Sequence, residues 1–191
     1  VTLRDVLVSA AREIDEGGFV DPEVRAELHH TIGESFGWLG DYEDALPHLE
    51  KAYEGYGAIY TRNHPMAMQI LVGLFHFEMR AGRKEEAEAH LLDFFEAYDP
   101  TFQIDDPEME LAAKKIHANL VSGYGNVLME LGRLEEAVGR FEQASREYDA
   151  IQSRGFSYTN NIVKLATAQE RLGRTDDSIT TLRDVVEALS L

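Results

Sequence analysis

Histidine and carboxylate side chains at helical spacing are the first residues in this sequence that could hold a metal ion. His30 and Glu34 lie four residues apart, which puts both side chains on one face of a helix. The neighbouring His29 would point to a different face, and no third ligand follows at the spacing that a zinc site on a helix needs. The sequence therefore predicts no metal site.

A segment with two glycines, SGYGNV at residues 122–127, is the second place where chemistry could occur. A phosphate-binding loop follows a strand and opens a helix, whereas these glycines fall in the middle of a helical pattern, so close contact between helices explains them better. The sequence has no Ser/His/Asp arrangement, zinc-protease motif or phosphate-loop lysine, and it contains no Cys. We therefore expect no enzyme activity, no catalytic residue and no cofactor.

The charge of the chain limits its partners. Asp and Glu number 35 against 18 Lys and Arg, which gives a formal net charge of -17. Such a field repels nucleic acid and anionic lipid and favours cationic partners. The alternative is that these carboxylates have no partner to attract and serve only to keep the protein surface soluble.

The absence of Cys fits a reducing compartment. No apolar run approaches the roughly 20 residues that span a bilayer, and no signal segment opens the chain. We expect a cytoplasmic protein without membrane contact. Val1 in place of Met, and an apolar pattern running into the last residues, VVEALSL, indicate a fragment of a longer protein.

A repeated unit organises the whole sequence. Gly40, Gly82, Gly132 and Gly173 each follow one helical pattern and precede another, at intervals of 41 to 50 residues. The residues after Gly132 show the apolar spacing of an amphipathic helix, and acidic pairs open these second helices. Glycine suits the position after a helix because it adopts the left-handed conformation without strain. Each unit is therefore predicted to be a helical hairpin.

Proline and aspartate mark the boundaries between units. Asp21-Pro22 and Asp106-Pro107 each combine a capping residue with a proline at the first helical position, and Pro65 is predicted to start another helix. We expect one all-α domain over residues 1–191, with nine helices and no strand. Its parts are an N-terminal helix (1–20) and four repeats (21–62, 63–105, 106–154 and 155–191).

The hairpins resemble the tetratricopeptide repeat (TPR), which has small residues at fixed places in both helices and Gly at the turn. Repeats 1 and 3 match this pattern with Gly33, Gly40, Ala45, Ala52, Gly125, Gly132, Ala137 and Ala144. Repeats 2 and 4 depart from it, with Phe75, Phe94, Ser178 and Val185 at small-residue positions.

The TPR unit is commonly about 34 residues long, and the longer units here are similar to the subclass of about 42 residues found in kinesin light chain. Residues 63–74, NHPMAMQILVGL, resemble the passage between repeats in that subclass. Residues 3–36 also look like the repeat regions of some bacterial serine/threonine kinases. The resemblance implies an α-α superhelix, a TPR solenoid whose first helices line a concave groove.

The resemblance also implies which side chains face a bound peptide, counted back from each turn glycine. They are Glu27, His30, Glu34, Trp38, Gln69, His76, Arg80, Asn119, Ser122, Asn126, Glu130, Asn160, Thr167 and Arg171. Asn126 occupies the position where the family often has an Asn that pairs with a peptide backbone. The same residues could instead be the solvated inner face of a scaffold.

Trp38 is the only Trp of the chain and could anchor a partner, although packing within repeat 1 is the favoured interpretation. We expect a protein-interaction module that binds a peptide or protein segment of basic or mixed character, as a scaffolding or regulatory part of a bacterial signalling protein such as a kinase. The alternative is self-assembly, with a homodimer formed through Ile179, Leu182, Val185 and Val186 of the C-terminal helix.

Overall fold

The computed structural model describes residues 2–17 and 21–189. Every regular element in these ranges is a helix, which confirms the predicted all-α class and the nine helices. They are α1 (Leu3–Asp15), α2 (Pro22–Leu39), α3 (Tyr42–Ile59), α4 (Pro65–Ala81), α5 (Lys84–Ala97), α6 (Pro107–Glu130), α7 (Leu134–Ala150), α8 (Phe156–Arg171) and α9 (Thr175–Leu189). None of the described helices is both long and apolar enough to cross a membrane.

The chain divides into two compact units, Val1–Gln103 and Ile104–Leu191. Unit 1 contains α1 followed by the hairpins α2–α3 and α4–α5. Unit 2 contains the hairpins α6–α7 and α8–α9. The four hairpins are those predicted from the repeated glycines, and their grouping into one domain remains a prediction.

The aspartates predicted to cap helices do cap the N-termini of α2 and α6. Asp21 Oδ1 accepts from the N–H groups of Glu23 and Val24 at 2.9 and 3.3 Å. Asp106 repeats this arrangement at the start of α6. Each Asp satisfies backbone donors that the first helical turn leaves without partners, and the proline that follows it has no N–H to satisfy.

The four hairpin turns share one backbone geometry. Gly40, Gly82, Gly132 and Gly173 have φ between 76° and 85°, the left-handed conformation that the sequence predicted. At each turn the N–H of the residue after the glycine donates to the carbonyl of the residue four positions before the glycine, at 2.8 to 3.0 Å. This bond ends the first helix and reverses the chain.

Small residues let the helices approach each other closely. A Cβ added at Gly33 on α2 would lie 2.7 Å from Leu49 Cγ, and one at Gly125 on α6 would lie 2.7 Å from the ring of Phe141. Contacts this short are not tolerated, so the large side chain of one helix depends on the glycine of the other. This confirms that Gly125, in the SGYGNV segment, allows the close helix contact predicted for it.

Repeat 2 fills its small-residue positions with aromatic rings. Phe75 and Phe94 are 9% and 0% exposed and belong to the core of unit 1. The departure from the TPR pattern therefore changes what fills the space inside the hairpin and leaves the hairpin itself intact.

The N-terminal helix packs on the first hairpin. Leu7, Ala10 and Ala11 lie against the buried residues Ile32 and Phe36 of α2. The solvent side of the same helix is joined to the start of α3 by ion pairs from Arg4 to Asp41 and Asp44. The predicted N-terminal helix thus covers one side of repeat 1.

Candidate functional site

Trp38 is an exposed aromatic side chain near the end of α2. It is 71% exposed, and its ring meets the edge of Phe77 on α4 at a centroid distance of 5.5 Å. The ring of His76 lies 6.3 Å away. The interpretation that Trp38 packs within repeat 1 was therefore wrong, because the hairpin that follows supplies the rings it contacts.

Phe77 is the buried ring on which Trp38 packs. It is 1% exposed, and its ring occupies the space left by Gly37 on α2, where an added Cβ would lie 2.4 Å from it. Tyr42 stacks on the same ring at 6.1 Å. Arg80 Nε donates a hydrogen bond to the Tyr42 hydroxyl at 2.7 Å. The exposed Trp38 ring therefore packs on a buried ring that is itself in contact with Gly37 and Tyr42.

The acidic side chain next to this ring is Glu34, one turn earlier on α2. His30 Nε2 lies 3.6 Å from Glu34 Oε1, so the two side chains lie on one face of α2, as their spacing predicts. Gly73 on α4 lies next to the same oxygen, since a Cβ added there would be 3.4 Å from it, an ordinary van der Waals contact. We call Glu34, Trp38, His76 and Arg80 the Trp38 surface.

The remaining predicted groove residues of unit 1, Glu27 and Gln69, are exposed on α2 and α4. The structure therefore brings Trp38 and His76 together and leaves Glu27 and Gln69 at solvent. Their contact with a peptide remains a prediction.

The predicted groove residues of unit 2 are less uniform. Asn119 Oδ1 accepts from the Tyr148 hydroxyl at 2.6 Å. Ser122 is 7% exposed, so little of its side chain is available to a ligand. Asn126 is half-buried on α6. Those at the surface of unit 2 are Glu130, Asn160, Thr167 and Arg171.

A buried histidine pair lies inside repeat 1. His29 Nδ1 and His48 Nδ1 are 2.8 Å apart, and the two rings stack at 5.1 Å. Burial lowers the pKa of His29 from 6.5 to about 4, and it lowers the pKa of His48 as well. The sequence predicted that His29 and His30 lie on different faces of the helix. In the structure His29 is buried and His30 is half-buried.

Beside this pair, an open cavity of about 480 Å³ is bounded by α1, α2 and α3. Its wall mixes apolar and charged groups, and Lys51 Nζ lies 2.6 Å from Asp15 Oδ1. Because these two lining charges pair with each other, the cavity offers no concentrated charge of one sign.

Three further polar side chains of unit 1 meet without any signal in the sequence. Glu50, Glu78 and His90 come from α3, α4 and α5 and lie close together. Glu78 and His90 form an ion pair at 2.8 Å. Burial raises the pKa of Glu78, and the bond to Glu78 raises the pKa of His90.

Residues 161–188 match the family model described as the tetratricopeptide repeat. No curated protein matches the chain significantly. The solved structures that resemble it include two of nearly identical TPR-like repeats of a kinesin light chain candidate from Podosopora anserina. One is a substituted form at 19% identity with a TM-score of 0.65, the other is at 18% with 0.61, and each match covers 97% of this chain and 93% of that one.

The family model falls in repeat 4, one of the two repeats that depart from the TPR pattern, and covers most of α8 and α9. The solved structures extend the likeness over nearly the full chain, at identities that establish the fold alone. Taken with the four hairpins and their glycine turns, these similarities show that the chain has the helical-hairpin fold of tetratricopeptide repeats.

Proposed function

We propose that this chain is a protein-interaction module and that the Trp38 surface is the anchor for a peptide or protein segment. TPR folds generally bind proteins. The observation that carries the proposal is the 71% exposure of Trp38, whose ring contacts the buried Phe77. A large aromatic side chain with only two rotatable bonds loses little entropy on binding, which is why such residues dominate interaction surfaces.

The ligand that fits this surface is a basic or mixed segment with an apolar side chain. Trp38 offers a face for the apolar side chain, and Glu34 lies beside it for a cation. The net charge of -17 attracts cationic segments over a longer range. Binding should weaken as salt rises, because screening reduces the charge-steered part of the interaction.

The test begins with a displayed peptide library selected on the chain, followed by titration of the selected peptides. Trp38 is the only Trp, so its fluorescence reports directly on this surface. We expect the emission of Trp38 to change on binding and Trp38→Ala to weaken binding about 30-fold or more, the loss of a hot-spot side chain. Glu34→Arg should weaken basic peptides in particular.

Phe156 supplies the matched control. It is an exposed aromatic side chain at the start of α8, 86% accessible, and lies outside the Trp38 surface. Phe156→Ala should leave the affinity unchanged. An equal loss in both alanine variants, or none in Trp38→Ala, would contradict the assignment of this surface.

For the parent protein we propose a scaffolding or regulatory role in bacterial cytoplasmic signalling, attached to a serine/threonine kinase. The support is the resemblance of residues 3–36 to the repeat regions of such kinases. Interaction partners that are components or substrates of a kinase pathway would agree with this role.

Self-assembly is the second candidate, and the exposed apolar face of α9 favours it. Ile179, Leu182 and Val186 are 49%, 40% and 62% exposed. Val185 is 6% exposed and belongs to the core, so its place in the predicted dimer face was wrong. A dimer that persists at high salt in light scattering, and that Ile179→Ser dissociates, would support this candidate over the first.

A further inference from the structure

Three consecutive helices of unit 1 bring a metal-ligand set to one point. Glu50 on α3, Glu78 on α4 and His90 on α5 each offer a ligand atom, and these atoms all lie within 4.8 Å of one another. Among the described residues no other group of three or more His, Asp or Glu side chains converges in this way. The set is separate from the Trp38 surface, none of whose residues belongs to it.

The Glu78 carboxylate is the unusual member, because it is buried and only half of it is satisfied. Glu78 is 1% exposed, and its Oε1 lies 2.8 Å from His90 Nδ1. Its other oxygen, Oε2, accepts no hydrogen bond from the described residues. A buried carboxylate oxygen without a partner is costly, and a bound cation would remove that cost.

We propose that Glu50, Glu78 and His90 bind a divalent first-row transition metal ion, for which Zn²⁺ is the best match. Zinc accepts carboxylate oxygen together with imidazole nitrogen and is satisfied by three protein ligands and a water. Mg²⁺ and Ca²⁺ prefer oxygen ligands alone and a larger number of them. The mixed set therefore selects against these two ions.

Little rearrangement is needed to form the site. Bonds of roughly 2.1 Å in a tetrahedral arrangement place ligand atoms roughly 3.4 Å apart, and the present atoms are within 4.8 Å. Glu50 is accessible to solvent and can close the remaining distance by a change of rotamer. The buried Glu78 and its partner His90 form the fixed part of the site, and the proton that they share in their hydrogen bond is released to solvent when the ion binds.

Because the ligands come from α3, α4 and α5, a bound ion would link the first hairpin of unit 1 to the second. Binding should therefore stabilise the folded state against the unfolded chain, which does not hold the three ligands together. A rise in melting temperature with added Zn²⁺ is a consequence that ordinary surface binding would not reproduce.

The test uses the untagged chain and isothermal titration with Zn²⁺, Mg²⁺ and Ca²⁺. We expect one Zn²⁺ per chain and a higher melting temperature in its presence. Glu50→Gln, which leaves the core untouched, and His90→Gln should each weaken binding about tenfold or more. Glu78→Gln keeps the shape of the buried side chain and should abolish binding, with circular dichroism confirming that each variant is folded.

His117 provides the matched control in unit 2. Its Nδ1 lies 2.8 Å from Glu147 Oε2, which reproduces the Glu78–His90 pair without the third ligand. His117→Gln should bind Zn²⁺ like the original chain. Absence of 1:1 binding, unchanged affinity in Glu50→Gln, an equal loss in His117→Gln, or binding of Mg²⁺ or Ca²⁺ as tight as that of Zn²⁺ would each overturn the proposal.

Discussion

The buried pair of His29 and His48 should make the stability of the fold depend on pH between 5 and 7.5. Their Nδ1 atoms are 2.8 Å apart, so one ring must donate and the other must accept. A second proton at this contact would remove the acceptor, set two N–H groups against each other and place a positive charge on one of the buried rings. His29 is 4% exposed, so water cannot screen that charge effectively.

The size of the effect follows from the pKa of His29, which burial lowers from 6.5 to about 4. Between these two values the unfolded chain binds the proton and the folded chain does not, so stability falls as the pH falls. From pH 7.5 to pH 5 the loss is about 2 kcal/mol. The nearby charges act in both directions, since Lys51 opposes protonation and Asp15 favours it.

Urea unfolding at pH 7.5 and pH 5 measures this difference directly. The original chain should lose about 2 kcal/mol more unfolding free energy between the two conditions than His29→Gln does, because the shifted pKa values of His64 and His90 contribute to both chains. His29→Gln should lose much less, because the group that titrates in this range is gone. His117→Gln leaves the pair intact and should keep the original dependence. A drop of the same size in His29→Gln would refute the reasoning.

Three further predictions concern the stability of unit 2. Gly125→Ala should lower the unfolding free energy by about 1 to 3 kcal/mol, because its Cβ would lie 2.7 Å from the buried ring of Phe141. Gly139→Ala, in the interior of α7 with nothing within 4 Å of the added Cβ, should raise it by about 0.5 to 1 kcal/mol. Asn161 is 0% exposed, and its Nδ2 donates to the Phe141 carbonyl and to Ser145 Oγ, each at 2.9 Å. Asn161→Ala should therefore cost about 1 to 3 kcal/mol. Urea unfolding at neutral pH checks all three, and equal effects of the two glycine substitutions would contradict the packing argument.

The hairpins could be predicted because their signals are local. Gly40 and Gly132 each end a helix within a few residues of the pattern that identifies it, and Asp21 caps the helix that it directly precedes. Gly33 and Gly125 could also be identified, since each packs against the second helix of its own repeat. Features that depend only on residues within one hairpin could therefore be predicted from the sequence.

Contacts between successive hairpins could not be predicted in the same way. Trp38 meets rings from the next repeat, and no spacing within repeat 1 indicates this. Glu50, Glu78 and His90 are 28 and 12 residues apart, and only the packing of α3, α4 and α5 brings them together. Val185 followed the apolar periodicity of α9, but periodicity does not say which of its apolar side chains are covered.

The shared turn geometry has a consequence for the order of events in folding. The bond that closes each hairpin turn joins residues only five positions apart, at Phe36 and Asp41 and at the three equivalent turns. Closing such a short loop takes little chain entropy, and contacts between residues close in sequence are associated with fast folding. Each hairpin can therefore serve as a starting point, and the slower step is the docking of one finished hairpin on the next.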